Sequence, residues 1–424
     1  MHIDFALTAP TSAVPLTLER SADATPLVSI VMPCLNEART VTTCILKARA
    51  YFDRVGIAGE IVVADNGSTD GSREIAAAAG ARVVRVSERG YGAALMGGIA
   101  AARGRWVVMG DADDSYDFGA LDDFIARLAD GAQLVMGNRF KGGIAEGAMP
   151  PLHRWLGNPV LSFIGRLLFT SRIGDFHCGL RAFDREAILG LHLTAPGMEF
   201  ASEMVMRAAL SNLRIEEVPT TLAKDGRDRP PHLRSWRDGW RHLRLLLMFS
   251  PRWLLFYPGF TLLVLGGLAT AVLTHSPVRL GAIGFDIHTL LFAATGSILG
   301  LQLAVFAVIT QAVGVAAGHL PKGSGWNLLM RLFTLERGLI LGLSLMATGL
   351  GLTLASVLDW AGTGLSGLDP SATMRTAIPA TALMLSGAEL MAASFVLSFV
   401  CQPRGSRAPT APDRFAALAE RSSL

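Results

Sequence analysis

The chain has little charge and few cysteines. Of its 424 residues, 17% are Asp, Glu, Lys or Arg, and the formal net charge is only +3. So small an excess does not suggest a nucleic-acid binder. The four cysteines, Cys34, Cys44, Cys178 and Cys401, show no CxxC pairing and no secretory context. They read as reduced thiols of a reducing compartment, neither metal ligands nor disulfides. The sequon Asn66-Gly67-Ser68 therefore carries no weight as a glycosylation site. Met1 to about Pro26 lacks a charged segment followed by an apolar core, so it is no signal peptide; its Thr, Ala, Ser and Pro content predicts a disordered leader. No GxGxxG follows the first strand and no Walker lysine pattern occurs, which argues against a Rossmann dehydrogenase and a P-loop enzyme.

What is present divides sharply. The charges crowd into the front of the chain, while Pro251 to Cys401 is mostly Leu, Ala, Gly, Val and Met. This is the boundary between a soluble front half and a membrane-embedded back half. In the front half, apolar β-branched runs at Leu27–Met32, Glu60–Ala64, Arg82–Val86, Trp106–Met109 and Leu134–Met136 alternate with helical patterns. Alternating strands and helices predict a parallel sheet covered on both faces. Four strands end in polar, glycine-containing loops that must share one edge, the edge where open α/β sheets bind ligands.

The loop after the fourth strand is Gly110-Asp111-Ala112-Asp113-Asp114-Ser115-Tyr116-Asp117. On extended chain Asp111 and Asp113 point the same way. Converging carboxylates repel unless a cation lies between them, and Mg²⁺ takes one or two carboxylates plus substrate phosphates. An acidic surface turn is the alternative, with about even odds from this stretch alone. Asp65, at the end of the second strand, is placed to accept from a base or ribose, or to form an Asx turn or cap.

These motifs carry a resemblance. Val28-Ser29-Ile30-Val31-Met32-Pro33-Cys34-Leu35-Asn36-Glu37, Asp65-Asn66-Gly67-Ser68-Thr69-Asp70-Gly71 and Asp111-Ala112-Asp113 resemble the inverting family 2 glycosyltransferases of GT-A fold. With Gly137-Asn138-Arg139-Phe140 and Cys178-Gly179-Leu180-Arg181-Ala182-Phe183, they resemble the dolichol-phosphate mannosyltransferase branch, which makes polyprenyl-phosphate sugars. The resemblance covers about 28–247. It implies a Rossmann-like, mainly parallel GT-A domain followed by an all-α transmembrane domain. It implies that Pro33, Asn36, Glu37, Asp65, Asn66, Asp111 and Ala112 bind the nucleotide sugar, of GDP-mannose or UDP-glucose type. Asp111 and Asp113 would hold Mg²⁺ or Mn²⁺ on the diphosphate. The family often continues the pair with Leu-Gln, whereas here Asp114-Ser115 follows; a third metal ligand would fall on Ser115. The processive synthases of the family need a Gln-x-x-Arg-Trp motif, which the chain lacks.

The chemistry implied is attack by a lipid monophosphate on a sugar whose leaving group is a diphosphate. One anion must approach another, which calls for arginines. Arg139 and Arg181 are expected as catalytic guanidiniums beside Asp113, with a weaker vote for Glu203; the acceptor phosphate is expected on Arg139, Arg154, Asn158, Arg227 and Arg229. Arg154 and Asn158 are four apart, hence on one helix face. Their stretch, Leu152–Thr170, is too short and charged to span a bilayer, and fits an interfacial helix or, nearly as well, a core helix. His177 beside Cys178 suggests a metal to the eye, but without other His or Cys nearby it reads as a loop histidine. Glu199 and Glu203 share a helix face. Lys224 to Arg244 is basic with Trp236 and Trp240 interleaved; its place before the first apolar helix favours anionic headgroups over nucleic acid.

Four segments are long enough to cross a bilayer: Trp253–Thr274, His288–Ala317, Gly338–Leu358 and Ala377–Cys401. Lys322, Arg331 and Arg337 lie between the second and third, and Arg404, Arg407, Arg414 and Arg421 follow the fourth. The positive-inside rule then puts the catalytic domain and both termini in the cytoplasm of a multi-pass inner-membrane protein. Gln302 and Glu389 are polar at membrane depth, and Glu389 is open to a part in packing or lipid binding. Small-xxx-small spacing, as at Gly296 and Gly300, points to close helix packing or a homo-oligomer. The expected organisation is a leader over 1–26, a GT-A domain over 27–250 with interfacial helices near 152–170 and 235–250, four transmembrane helices over 251–403, and a basic tail over 404–424. The expected partners are a nucleotide sugar, a polyprenyl phosphate and the membrane. A different class of function, a transporter or flippase subunit whose soluble domain only binds a nucleotide sugar and regulates, stands as the alternative.

Overall fold

A computed structural model of the chain describes residues 25–169, 172–227, 235–322, 325–326, 334–364, 367 and 369–401. The leader up to residue 24, Arg229, Arg331 and the tail from residue 402 lie outside the described residues. The chain divides into two units, Met1–Phe249 and Ser250–Leu424.

The first unit is built on a seven-stranded sheet. Its strands are β1 (Val28–Cys34), β2 (Gly59–Asp65), β3 (Arg82–Arg85), β4 (Trp106–Met109), β5 (Leu134–Asn138), β6 (Arg181–Asp184) and β7 (Ile215–Pro219). The order is β3-β2-β1-β4-β6-β5-β7. β1, β2, β3 and β4 run parallel, as do β5 and β7, but β6 is antiparallel to both its neighbours. The mainly parallel sheet that the sequence implied is present, with β6 running against its neighbours. Here Gly137 N–H donates to the Leu180 carbonyl at 3.0 Å as β5 and β6 meet.

The central strands read as continuous apolar runs because both of their faces are covered. On one face lie α1 (Val41–Val55), α2 (Ser72–Ala78) and α4 (Asp122–Ala129); on the other α3 (Tyr91–Ala101), α7 (Arg185–Leu189) and α8 (Phe200–Leu210), which follow the four-residue turn α5 (Arg139–Gly142) and α6 (Asn158–Phe169) in sequence. α4 starts at Asp122, after Phe118 and Leu121, both fully buried, have tied the preceding turn into the core.

Of the stretch 152–170, the described residues are helical, a π-type turn at His153–Gly157 leading into α6. α6 and α9 (Ser235–Met248) both pack on α8, where Leu161, Phe169, Met206 and Leu246 form a small separate cluster. Their opposite sides stay bare: Trp155 is 75% exposed, Trp236 80% and Trp240 59%. A helix buried on all sides would not leave such rings in solvent.

In the second unit a π-type turn, Arg252–Phe256, opens α10 (Tyr257–His275), and α11 (Ile287–Ala316), α12 (Leu335–Gly362) and α13 (Pro370–Val400) follow. All four are long and apolar enough to cross a membrane. A short hairpin of β8 (Val278–Leu280) and β9 (Ile283–Phe285) joins the first two. Helices approach at small residues: a Cβ on Gly300 would lie 2.2 Å from Leu263 N, and one on Gly387 2.5 Å from the Gly342 carbonyl. Gly296 of the expected pair meets nothing within 4 Å. Gln302 and Glu389 come together in one groove between α11 and α13.

Candidate active site

Strand ends converge, and their loops latch onto one another. The Asn36 side chain accepts from Thr69 N–H at 2.8 Å, and Glu37 N–H donates to Ser72 Oγ at 2.8 Å. Asn66 donates to the carbonyls of Val86 and Glu88 and accepts from Gly90 N–H. Asp65 accepts from Gly67 and Ser68 N–H, each at 3.1 Å. It is the Asx turn, buried at 2% exposure, and it does not line the cavity that these loops enclose. Of the two roles expected of Asp65, the Asx turn is formed, each carboxylate oxygen accepting from a loop amide. Ala112 is likewise buried in the core, its carbonyl accepting from Thr40 Oγ1 at 2.6 Å, and it lines no cavity.

The cavity has a volume of about 480 Å³ and is lined by Pro33, Asn36, Glu37, Asn66, Asp111 and Asp113, all anticipated, together with Tyr91 and Arg227. Ser115 donates through its hydroxyl to Asp113 Oδ1 at 2.6 Å and through its N–H to the same oxygen. Asp113 Oδ2 faces Arg227 Nη1 at 3.2 Å. Arg227 also forks onto Glu37, with Nη2 2.8 Å and Nε 2.9 Å from Oε1. Thus Arg227, expected on the acceptor phosphate, belongs to this cavity instead, because two acidic side chains draw it there. Burial, and next the charge of Asp113, push the Asp111 carboxyl up from 3.8 to about 6, while a hydrogen bond from the Tyr91 hydroxyl pulls the other way.

These donors fit a hard divalent cation in one respect and only partly in another. Two carboxylates sit close enough for one to raise the other's pKa, the mark of a pair short of positive charge. Among the described residues no group of three or more His, Cys, Asp or Glu side chains stands ready for a metal. The set therefore suits an ion that completes its shell with substrate phosphates and water, as Mg²⁺ does.

A second cavity, of about 430 Å³, shares Tyr91, Asp111 and Met198 with the first. Its polar part carries Arg139, His153, Asn158, His177 and His242; Leu152, Leu156, Val160, Trp236 and Trp240 make the rest apolar. Arg139 is buried and forks onto Asp175, Nε to Oδ2 and Nη2 to Oδ1, both 2.7 Å. Gly179 lets this wall close in: a Cβ there would stand 2.7 Å from Asp111 Oδ2. The Tyr116 hydroxyl accepts from Gly179 N–H at 2.9 Å.

Three expected residues do not reach either cavity. Arg181 is fully buried and donates to the carbonyls of Cys178 (2.9 Å), Ala201 (2.7 Å) and Phe176 (3.0 Å). It bolts β6 to the start of α8. Glu203 is 1% exposed, pairs with Arg207 at 2.9 Å and accepts from Thr194 and Ala195 N–H, so it staples that loop to α8. Arg154 lies over the Trp155 ring at 5.4 Å, while Asn158 lines the second cavity.

Residues 29–190 match the model of glycosyl transferase family 2, and 308–401 match the family's C-terminal transmembrane region. The low-salt glycan biosynthesis hexosyltransferase Agl6 of Haloferax volcanii is 37% identical over 384 residues, 90% of this chain and 91% of that protein. The chain belongs to glycosyltransferase family 2. A dolichyl-phosphate hexose transferase of the same organism is 32% identical over 191 residues, 45% of this chain and 80% of its own length. Among solved structures, glucosyl-3-phosphoglycerate synthase from Mycobacterium tuberculosis, in complex with Mn²⁺, uridine diphosphate and phosphoglyceric acid, is 25% identical with a TM-score of 0.41, over 53% of this chain and 76% of that one. This family 2 enzyme is a membrane glycosyltransferase, with a mainly parallel GT-A-like sheet and four apolar helices.

Proposed function

We propose that this glycosyltransferase moves a hexose from a nucleotide sugar, of GDP-mannose or UDP-glucose type, to a polyprenyl or dolichyl phosphate at the cytoplasmic face of the membrane. The observation that carries the reading is the junction of two unlike cavities at Tyr91, Asp111 and Met198. One is walled by polar strand-end loops; the other has a buried arginine and an apolar lining of leucine, valine and tryptophan. A nucleoside diphosphate suits the first and a phosphate on an isoprenoid chain the second. The names of the two Haloferax relatives support a hexose and a dolichyl-phosphate acceptor.

Asp111 and Asp113 would hold a Mg²⁺ or Mn²⁺ ion, which supplies Lewis-acid stabilisation of the departing diphosphate. Ser115 fixes the Asp113 rotamer by its 2.6 Å hydrogen bond. Arg139, oriented by its fork to Asp175, meets the acceptor phosphate, and Asn158 lines the same cavity. A single displacement across the junction inverts the anomeric carbon. Trp155, Trp236 and Trp240 seat the second cavity's mouth in the membrane interface.

The test uses the full-length protein in liposomes containing polyprenyl phosphate, with labelled GDP-mannose or UDP-glucose. Chelator-sensitive lipid-linked sugar is expected, and its loss in Asp113→Ala. Binding of the nucleotide sugar without any transfer would favour the transporter or regulatory subunit. Full activity in Asp113→Ala would remove the metal assignment.

A further inference from the structure

The second cavity holds a side-chain chain that the reading above leaves idle. His177 and His242 both line it, their rings perpendicular with centroids 4.7 Å apart. Between them is the buried hydroxyl of Ser202, whose Oγ lies 3.2 Å from His177 Nε2 and 2.8 Å from His242 Nδ1. The remaining ring nitrogen of His177, Nδ1, is buried and has no hydrogen-bond partner among the described residues. A buried polar atom left unmatched is costly, and this one belongs to a residue of the wall facing the acceptor's cavity.

A hydroxyl has one proton to give, so Ser202 donates to one ring and accepts from the other. The tautomers of the two histidines are thereby tied together. When Ser202 donates to His242 Nδ1, His177 Nε2 carries its proton, and His177 Nδ1 presents a bare lone pair. The opposite setting makes His177 Nδ1 a donor. A concerted shift through Ser202 converts the first setting into the second only when a proton is taken up at His177 Nδ1 and one is released from His242 Nε2.

We propose that His177, Ser202 and His242 form a proton relay that deprotonates the acceptor phosphate as it attacks the sugar. This rests on the lipid-phosphate reading of the second cavity. A lipid monophosphate has its second pKa near ~6, so around and below that pH much of it carries a P–O–H. In the step, that proton passes to His177 Nδ1, the His177 Nε2 proton to Ser202 Oγ, and the Ser202 hydroxyl proton to His242 Nδ1. The freed oxygen pair forms the bond to the anomeric carbon, and the bond to the diphosphate breaks with its pair leaving on the nucleotide. One proton leaves the acceptor and one arrives on His242, beside Asp238, four residues earlier on α9.

The surroundings suit this. Burial first, then His242, Arg139, Arg181 and His153, hold His177 neutral, well below the usual histidine range. Burial brings His242 down to about 4, Arg181 acts in the same direction, and Asp238 on the same helix pulls it up. The relay is thus empty of extra protons whenever the acceptor arrives. A phosphate diester is a far stronger acid than a monoester, so the proton's affinity for the acceptor falls as the new bond forms. A base of low pKa is then enough, as general-base catalysis requires.

The test is the pH profile of kcat/KM for farnesyl phosphate, measured on the full-length protein in detergent with whichever of GDP-mannose or UDP-glucose it turns over. The quantity read is the variant-to-wild-type ratio, which cancels titrations common to both, Asp111 included. For Ser202→Ala the ratio should be about tenfold lower at pH 5 than at pH 8, following the phosphate ionisation near ~6. Ser202→Thr, which keeps the hydroxyl, should restore it. His242→Gln should show the same pH-dependent deficit, and decides the matter if the alanine variant folds poorly. A ratio that is constant with pH, whatever its size, would mean that the trio merely braces α9 on α8, and would overturn the relay. Wild-type protein that makes no farnesyl-linked sugar at any pH would instead refute the acceptor reading itself.

Discussion

Replacing Asp111 by asparagine should abolish transfer yet stabilise the metal-free protein. The Asp111 carboxyl is raised from 3.8 to about 6 by burial and by Asp113. At about 1.4 kcal/mol per unit, its ionisation in the folded state costs roughly 3 kcal/mol. Its folded pKa lies above its unfolded one, so the native state binds the extra proton between them. That favourable contribution is complete below about pH 4 and lost as pH rises through about 6. At pH 8 the whole penalty is present in the wild type and absent from Asp111→Asn, whose side-chain oxygen still accepts from Tyr91. A unit of this size gains about 2–4 °C in Tm per kcal/mol, so the variant should melt about 6–12 °C higher at pH 8 in EDTA. The gap should fall to about half near pH 5 and towards zero below about pH 4. Mn²⁺ with a nucleoside diphosphate should raise the wild-type Tm and leave the variant's unchanged. The assay is differential scanning fluorimetry of the full-length protein in detergent. A variant that melts at or below wild type at pH 8, with no dependence of the gap on pH, would refute the claim that the two carboxylates strain each other.

Arg181→Met should be lost to misfolding rather than to a selective kinetic defect, since three buried carbonyls lose their donor at roughly 1–3 kcal/mol each; a stable, soluble variant by melting and size exclusion would reopen a catalytic role. Arg227→Ala removes the fork to Glu37 and the contact to Asp113, each charged hydrogen bond being worth about 1.5–3 kcal/mol. It should raise the KM for the nucleotide sugar about tenfold or more and leave that for the lipid phosphate alone; the reverse split would return Arg227 to the acceptor. Leu156→Glu, on the apolar wall of the second cavity, should raise the KM for polyprenyl phosphate at least about tenfold, given ~1.5–3 kcal/mol for one buried leucine, with the nucleotide-sugar KM unmoved.

How much of this was visible in the chain depends on the kind of signal. Strands β1, β2, β4 and β5 are buried over most of their length, so their apolar runs stand out, and the abrupt change to polar loops marked the ligand edge. β6 escaped notice because its first residue is an arginine, and a buried arginine looks like a functional one. Only the structure shows its five-atom fork spent on carbonyls of 176, 178 and 201. β7, Ile215-Glu216-Glu217-Val218-Pro219, places two glutamates in a row at the sheet's edge, which hides the period of two. Among site residues, Asn36, Asn66, Asp65 and Ser115 were located, but their partners were not: short polar side chains bind neighbouring loops as readily as ligands, and sequence spacing does not separate the two. Ser202 and His242 lie forty residues apart and give no local pattern. The i, i+4 spacing of Asp238 and His242 is the one clue that could have joined His242 to a carboxylate.

The ion pairs explain why the site is not simply a well of positive charge. Bringing a lipid phosphate to a sugar diphosphate calls for cations, yet Arg139 is bound to Asp175 and Arg227 to Glu37 and Asp113. Unpaired buried guanidiniums would be costly in the resting protein and would attract any phosphate in the cell. The fork to Asp175 engages Nε and Nη2 of Arg139, and a guanidinium has five N–H donors in all. On the proposed reading Arg139 can stay neutralised while its remaining edge meets a phosphate, whereas Arg227, gripping two of the first cavity's three carboxylates, has to yield Asp113 before a metal–diphosphate can settle there. The acceptor side is built as a fixed pair and the donor side as an exchangeable one. It follows that donor and metal should compete with an internal cation, and that Arg227→Ala should tighten binding of the bare metal ion even as it weakens binding of the nucleotide sugar.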